Sequence, residues 1–409
     1  MRSGKLLGGA RFVGLLAVCL LAMPGSSAAL DEVRTGPALR DSEPQFMQTV
    51  QGERILFARA ELHPDGSVLK QDLMTMRVTG DGLETLIPSR DGTTASDAAT
   101  SRYSDTFAYV TGPIITSGYY ESGLLIKRPS KPDLAETGIY PPTRPADPAV
   151  SDDGSKVAHV WGGSVSVKVE GYGVDHRVPV PYPGYARTPS FAPDGDHVAY
   201  ETYASGGPAS QDGIWTARAG DSEMKQLTGT TDENPCYRDS NPVWVPTTGE
   251  VIFVRNANPC GDPALAGLWR VDPGATFVEN DWPQGKQLVA GQSDDVYFDE
   301  PTVSNDGSTI AFTRKHKAAA ASELTAIYTY DGSRTTRISD PAEGSISVDS
   351  HPSFSNSGRK LAYVRRAEPQ GSGSPSDDSG IRVVDVSPPS KPKLVLKMNR
   401  SKLSGKPGR

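Results

Sequence analysis

One phrase recurs along the chain at intervals of about fifty residues. Each copy begins at a proline, passes through a short apolar stretch and a Ser-x-Asp-Gly-like turn, and ends in a β-rich run closed by an aromatic residue or a histidine. Such repetition is typical of folds assembled from stacked supersecondary units. Two weaker copies, GERILF and SRYSDTFAY, precede five clear ones. The clear copies are Pro148-AVSDDGSKVAH, Pro189-SFAPDGDHVAY, Pro242-VWVPTTGEVIF, Pro301-TVSNDGSTIAF and Pro352-SFSNSGRKLAY.

The last residue of each copy is an anchor from which the period can be measured. Successive anchors are separated by 52, 50, 41, 53, 59 and 51 residues. A mean of about 51 fits the four-stranded blade of a β-propeller. We therefore predict an all-β chain, a β-propeller of four-stranded antiparallel blades. Seven blades are favoured, and six are the alternative if the weak copies are irregular. The anchors are Phe57, Tyr109, His159, Tyr200, Phe253, Phe312 and Tyr363.

The residues between anchors agree with this architecture. Asp-Gly pairs between β-rich runs predict tight hairpins, because glycine supplies the positive φ that such turns need. A single blade cannot bury its own faces, whereas blades stacked radially cover one another and leave only short edges. No window shows helical periodicity of useful length.

These repeats resemble the TolB-like, WD-type propeller repeat, with the consensus Pro-x-φ-Ser-Pro-Asp-Gly-x-x-φ-Ala-φ, where φ is an apolar residue. The resemblance covers residues 44–397, with SDDG, NDG and NSG replacing the usual SPDG and a degenerate turn at 246–249. It implies a scaffolding or translocation-related role and a six-bladed propeller behind a smaller N-terminal domain. Only residues 30–43 separate the predicted leader from the repeats, so we expect that N-terminal domain to be missing.

The N-terminus predicts export. Three cations precede an apolar run over 12–23, and small residues at 27–29 suit a signal-peptide cleavage site. The predicted organisation is a signal peptide over 1–29, a short segment over 30–43, the propeller over 44–397 and a basic flexible tail over 398–409. The apolar run 393–398 is an alternative last strand of the ring. We expect a secreted chain, periplasmic or extracellular, with no transmembrane segment in its mature form.

Net charge restricts which partners the chain can bind, and the cysteine content predicts a disulfide. Cleavage after residue 29 would change the formal charge from −7 to −10, which disfavours nucleic-acid binding. The basic residues after 390 are either a solvated tail or a contact for an anionic envelope polymer or lipid headgroups. Cys236 and Cys260 then remain, and two cysteines in an oxidising compartment are predicted to form a disulfide. Closing that loop would add roughly 3 kcal/mol of stability.

Loop lengths predict which face binds. Turns between the first and second strands of each blade are tight, whereas loops between the second and third strands, and between blades, are long. Long loops on one face of a rigid scaffold usually mark the binding surface, and insertions that drift where they are tolerated are the alternative. The long segments are 60–72, 111–122, 201–212, 229–241, 255–266, 290–298, 314–324 and 365–379.

Acids and aromatic residues in these loops predict a site for a cation or a basic peptide. The alternative is that each aspartate caps a local turn. No cofactor is expected, although a divalent cation such as calcium could be bound by Asp294, Asp295 and Asp299, without EF-hand spacing. The candidate binding residues are Tyr237, Asp239, Asp294, Asp295, Tyr297, Asp299, Asp349 and His351.

No catalytic motif is found among the serines, histidines and acids. Gly371-Ser372-Gly373-Ser374 lies in a Gly/Ser/Asp-rich stretch rather than a strand–helix elbow. The six histidines show no metal-ligand spacing, and His351 is the strongest single candidate. We expect a monomeric, non-catalytic scaffold that binds an envelope or secreted protein. The alternative is a carbohydrate-active lyase or hydrolase that uses acidic funnel residues.

Overall fold

The computed structural model consists of antiparallel β-sheets arranged as seven consecutive blades. In each blade the chain runs strand by strand from the centre outward, as the sequence predicts. The prediction of a seven-bladed all-β propeller is confirmed. The described residues are 38–90, 92–113, 122–130, 137–139, 145–169, 175–181, 184–204, 212–221, 223–230, 236–257, 261–275, 277–278, 283–291, 295–317, 323–339, 346–368 and 379–386.

The first three blades contain twelve strands. A single parallel bridge, Gln71 to Thr94, links blade one to blade two. Blade one comprises β1 (Ala38–Thr49), β2 (Gly52–Leu62), β3 (Val68–Arg77) and β4 (Glu84–Ile87). Blade two comprises β5 (Thr93–Thr100), β6 (Phe107–Pro113), β7 (Gly123–Lys127) and β8 (Thr137–Ile139). Blade three comprises β9 (Ala146–Val150), β10 (Lys156–Trp161), β11 (Ser164–Val169) and β12 (Asp175–Val178).

The next two blades are separate four-stranded sheets. A short 3₁₀ turn, Pro263–Leu265, precedes β19. Blade four comprises β13 (Gly184–Phe191), β14 (His197–Ala204), β15 (Gly213–Arg218) and β16 (Met224–Gln226). Blade five comprises β17 (Tyr237–Trp244), β18 (Val251–Ala257), β19 (Gly267–Val271) and β20 (Lys286–Ala290).

The last two blades share a bridge from Thr325 to Val348. Three strands of blade seven lie within the described residues, and the predicted closing run 393–398 lies outside them. Blade six comprises β21 (Asp295–Val303), β22 (Ile310–Lys317), β23 (Glu323–Tyr330) and β24 (Thr335–Arg337). Blade seven comprises β25 (Ile346–Phe354), β26 (Lys360–Glu368) and β27 (Ser379–Asp385).

The ring closes by packing blade seven against blade one. Phe46 donates its backbone N–H to Ser353 Oγ at 3.3 Å, and Asn356 donates its own to Glu53 Oε1 at 2.5 Å. Apolar side chains from β1, β2, β3, β26 and β27 form one buried cluster across this junction. Burial of apolar surface between blades therefore stabilises the closure as well as the other junctions.

Two boundaries differ from the prediction. The first strand begins at Ala38, ahead of the predicted repeat start at residue 44. The segment 60–72 is mostly strand, because the turn His63-Pro64-Asp65-Gly66-Ser67 joins β2 directly to β3. Asp65 caps this turn by accepting hydrogen bonds from the N–H and hydroxyl of Ser67, so the predicted long loop is a tight hairpin.

All seven anchors are buried, with at most 2% of each residue exposed, and each lies in the second strand of its blade. His159 is fully buried at the third position, in agreement with its place in the repeat. Among the described residues, no helix is long and apolar enough to cross a membrane.

Candidate functional site

Among the described residues, each blade holds one non-glycine residue in the left-handed backbone region, at φ between 46 and 55°. Each lies in the innermost strand, and together the seven line a central cavity. We call this ring the waist. Non-glycine residues in this conformation are uncommon, and they cluster at functional sites. The waist residues are Glu43, Asp97, Asp147, Thr188, Asn241, Glu300 and His351.

A β-bulge produces this conformation in each blade. In blade one the register passes from Ser42–Ala58 to Gln45–Leu56, so Glu43 and Pro44 together face the anchor Phe57. The same two-against-one arrangement lies opposite the anchor in the other six blades. Because a bulge bends its strand and redirects a side chain, the repeat places one polar group per blade at the centre.

Carboxylates of the waist connect neighbouring blades. Glu43 Oε2 accepts the backbone N–H of Asp97 at 2.9 Å, and Asp147 Oδ2 accepts that of Thr188 at 3.2 Å. Glu300 Oε2 accepts the N–H of His351 at 2.7 Å. These bonds satisfy the amides that the bulges remove from the ladder, and they hold the ring in place.

Glu300 forms the densest set of contacts in the waist. Its carboxylate also accepts the hydroxyl of Thr313 at 2.8 Å and lies 3.2 Å from His351 Nε2. His351 Nδ1 lies 3.0 Å from Ser350 Oγ. The imidazole is thereby oriented between an acid and a hydroxyl, at the edge of the cavity.

The cavity has a volume of about 520 Å³ and extends from the waist toward the tight turns. Its walls include the prolines that follow four waist residues, Pro148, Pro189, Pro242 and Pro301. Phe46, Phe191 and Phe354 are also part of the lining. The predicted binding face at the long loops is a different part of the molecule from this cavity, which the innermost strands line at and after their bulges.

The waist is acidic. Four of its seven side chains are carboxylic acids, and His351 is the one ionisable base among the seven. At the turn end of the cavity, Arg102 is paired with Asp152 at 3.2 Å. Burial, and then the charge of Asp97, raise the pKa of Glu43. The cavity therefore combines polar and apolar walls with an end at which acids outnumber the single base, which favours a ligand with a cationic group.

Asp299 directly precedes the waist residue Glu300, and its pKa is raised. Burial, followed by the charge of Glu300, raises the pKa of Asp299 to about 7. Its Oδ1 accepts a hydrogen bond from Asn241 Nδ2 and another from the N–H of Glu300 at 2.9 Å. A carboxyl group that titrates near neutrality can exchange a proton under physiological conditions.

Three predicted residues lie at or beside the waist: His351 belongs to it, and Asp299 and Tyr297 precede Glu300 in β21. Tyr297 is 40% exposed, and burial, followed by the charge of Asp299, raises its pKa to about 12. These three residues lie at or beside the waist, and their part in binding remains a prediction.

Two further predicted acids are buried in ion pairs. Arg255 binds Asp239 through two hydrogen bonds, at 2.6 and 2.7 Å, and Arg365 binds Asp349 in the same way, at 2.8 and 2.7 Å. Neither acid is among the residues that line the cavity. Both acids are therefore bound by an arginine of their own blade, which is a structural role.

The remaining predictions concern blade five and the start of β21. The Tyr237 hydroxyl accepts the N–H of Asp262 at 2.7 Å, so this residue is buried in a loop contact. Asp295 begins β21, and Asp294 and Cys260 lie outside the described residues. Cys236 lies in the turn before β17, and the Asp262–Tyr237 bond brings the chain next to Cys260 close to it. The disulfide and the calcium ligands remain predictions.

Six waist residues were missed by the sequence reasoning. A signal for them exists: in six of seven repeats the waist residue directly precedes a proline, and in all seven it is polar. Comparing one position across repeats would find it, whereas a search for local motifs does not. Among the described residues, no group of three or more histidine, cysteine, aspartate or glutamate side chains could hold a metal ion.

Comparison with known proteins shows the fold. No protein-family model and no curated protein matches this sequence. A prolyl endopeptidase matches with 13% identity and a TM-score of 0.60, over 87% of this chain and 49% of that one. This chain therefore spans about half the length of that enzyme.

Two other solved structures match this chain over most of their own length. An oligogalacturonate lyase in complex with manganese is 14% identical, with a TM-score of 0.51, over 86% of this chain and 91% of that one. TolB from Acinetobacter baumannii is 16% identical over 85% of this chain and 77% of that one, but its TM-score of 0.42 carries no argument. At these identities the likeness extends to the β-propeller architecture alone.

Proposed function

We propose that this protein is an exported, TolB-like β-propeller that acts as a non-catalytic scaffold in the cell envelope or outside the cell. Its central cavity binds a cationic segment of a protein partner. The observation that carries the proposal is the acidic waist at the end of a cavity of about 520 Å³ that is lined by both polar and apolar residues. This volume falls in the range of pockets that enclose a small ligand or a few side chains.

The waist is preorganised for a cation. Glu43, Asp147 and Glu300 each use a carboxylate oxygen to accept an N–H from the next blade, which fixes their orientation. A lysine or arginine side chain entering from the tight-turn side would meet negative charge that is already in place. Apolar walls such as Phe46 and Phe354 suit the aliphatic part of such a side chain.

The test is capture of partners from the native envelope with the exported chain as bait. The variant Glu43→Gln/Glu300→Gln removes two waist charges and keeps side-chain shape. Its matched control, Asp221→Asn/Glu223→Gln, removes two exposed acids near β16. We expect a protein that the wild type and the control retain and the waist variant loses. Equal retention by all three baits would refute the waist as the binding site.

A second candidate is a carbohydrate-active lyase or hydrolase, and Asp299 is the observation that favours it. Its pKa of about 7 suits proton transfer, and Glu300 and His351 are adjacent. Under this alternative, Asp299→Asn or His351→Ala would abolish cleavage of an acidic oligosaccharide, assayed with and without manganese or calcium, while the fold stays intact. Absence of any cleavage by the wild type under these conditions removes the alternative.

A further inference from the structure

A separate cluster of tyrosine and arginine lies on the long-loop side of the waist, away from the cavity. Tyr185 is the second residue of β13, and Tyr203 is the second-last residue of β14. Arg238 is the second residue of β17 in the next blade. The cavity lining includes none of these residues. We call the cluster of Tyr185, Arg187, Tyr203 and Arg238 the Arg–Tyr patch.

The patch is ordered by stacking. The rings of Tyr185 and Tyr203 are stacked, with centroids 5.3 Å apart and planes inclined by 21°. Tyr185 lies against Gly163, where any side chain would overlap its ring. The absence of a side chain at Gly163 therefore leaves room for the ring of Tyr185, which is itself 44% exposed.

The guanidinium groups of both arginines of the patch lie over the Tyr203 ring. The Arg187 guanidinium lies 4.7 Å from the ring centroid, and it donates a hydrogen bond from Nη2 to the Tyr203 hydroxyl at 3.1 Å. Arg238 lies 5.9 Å from the same centroid. Cation–π contact and the hydroxyl bond hold the guanidinium of Arg187 in one orientation at an exposed site.

The two arginines differ in their charge balance. Arg238 Nη2 is paired with Glu201 Oε1 at 3.1 Å, and Glu201 also accepts the N–H of Asn241 at 3.0 Å. Within the described part of the chain, Arg187 has no carboxylate partner. The patch therefore presents one oriented guanidinium whose charge is not neutralised, on a chain with a net formal charge of −7.

We propose that the Arg–Tyr patch is a docking surface for a peptide segment of a partner protein that carries a carboxylate, bound by Arg187. A fixed guanidinium fork recognises a carboxylate through two parallel hydrogen bonds. Tyrosine and arginine are also the residue types that dominate the energetics of protein–protein contacts. Charge complementarity thus selects an acidic segment here, in contrast to the cationic segment at the waist.

A peptide fits the patch better than a sugar ring does. A sugar would stack on an open aromatic face, but Tyr203 is already contacted by Tyr185 and by both guanidinium groups. The accessible groups that are not already in an ion pair are the guanidinium of Arg187 and the exposed part of Tyr185. These suit a carboxylate with a neighbouring apolar or aromatic side chain.

The test uses a displayed library of random peptides selected on the full chain. The variants are Arg187→Gln and, as a matched control, Arg177→Gln. Arg177 also stacks on an aromatic ring, Trp161, at 5.8 Å, but it lies in the outer strand of blade three. Tyr203→Phe, which removes only the hydroxyl that orients Arg187, is a third variant. Thermal unfolding of each variant checks that the fold is kept.

We expect the wild type and Arg177→Gln to enrich peptides with aspartate, glutamate or a free carboxyl terminus, and Arg187→Gln to lose that enrichment. A synthetic peptide from the selection should bind Arg187→Gln about tenfold more weakly, and replacing its acid by the amide should have the same effect on the wild type only. Tyr203→Phe should give a smaller loss.

Enrichment of acidic peptides that survives in Arg187→Gln would overturn the proposal, as would a selection with no acidic preference. Binding of oligogalacturonate that depends on Arg187, with no peptide enriched, would assign the patch to a glycan and would also overturn it. The waist variant Glu43→Gln/Glu300→Gln should select acidic peptides normally. Failure of the waist proposal and failure of the patch proposal are therefore distinguishable.

Discussion

Polar residues only two positions apart in the same innermost strand have different surroundings. In blade one, Asp41 is fully buried and bound by Arg59 through hydrogen bonds of 2.7 and 2.9 Å, whereas Glu43 lines the central cavity. Blade seven repeats the contrast with Asp349, bound by Arg365, and the waist residue His351. Blade five does so with Asp239 and Asn241.

The bulge separates the two environments. Before it, the strand pairs regularly with its neighbour, and an aspartate there meets an arginine two residues beyond the anchor, as in Asp239 with Arg255. At the bulge, one residue leaves the regular alternation and its side chain lines the cavity. The identity of an acid near the start of a repeat therefore does not reveal its role, but its position relative to the anchor does.

The largest effect on stability is expected when one partner of a buried ion pair is removed. Arg255→Met should lower the free energy of unfolding by about 3 to 5 kcal/mol, because Asp239 would be left buried without its counter-ion. Urea denaturation measures the loss. In the double variant Asp239→Asn/Arg255→Met, much of the stability should return.

The matched control is an exposed pair in the same fold. Arg77 and Asp81 lie 2.9 Å apart with both side chains more than half exposed. Arg77→Met should change the free energy of unfolding by less than about 1 kcal/mol. A loss at Arg255 as small as that at Arg77 would contradict a structural role for the buried pairs.

The second prediction concerns Asp299. Since burial raises its folded-state pKa to about 7, above the ordinary value of about 3.9, the folded protein keeps a proton that the unfolded chain releases between these values. Folding stability from this group is thus greatest at low pH and is lost as the pH rises through about 7. Asp299→Asn should remove that dependence.

Urea midpoints of the wild type and Asp299→Asn, measured from pH 4 to 8, check it. The wild type should lose stability relative to the variant as the pH increases. A constant difference between the two proteins would show that Asp299 has an ordinary pKa, and a trend of opposite sign would show that its pKa is lowered; either result contradicts the prediction.

The smallest expected effect on stability lies at the waist. Asp147→Asn keeps an oxygen that can accept the N–H of Thr188, so we expect a loss of less than about 1 kcal/mol in the free energy of unfolding. Binding of a cationic peptide should weaken clearly in the same variant, by calorimetric titration. A large destabilisation with unchanged binding would place Asp147 with the structural acids instead.

The fold could be predicted from sequence because its signals are periodic. Anchors such as Phe253 recur at the blade spacing and are buried opposite each bulge, so the pattern and the packing have the same cause. Six of the waist residues escaped prediction for the opposite reason: they differ from blade to blade, as with Thr188 and Asn241. What they share is polarity, in most repeats a following proline, and a backbone conformation that residue identity specifies only weakly.

The candidate site was predicted in part. Asp299 and His351 were recognised as acids and bases near the axis, but Asp239 and Asp349 could not be separated from them without knowing which side of the bulge they occupy. Loop length pointed to the other face. It reports where insertions are tolerated, whereas the cavity is lined by residues at and after the bulges of the innermost strands.

Mapping the contact sites of a cationic probe tests the account most directly. A short oligolysine that carries a photoreactive group would be cross-linked to the full chain, and the adducts located by mass spectrometry. We predict adducts in the cavity-lining segments 97–102, 147–150, 188–191 and 300–303, and their loss in Glu43→Gln/Glu300→Gln. Adducts spread over the outer strands, or unchanged in that variant, would contradict the claim that the acidic waist is the binding site.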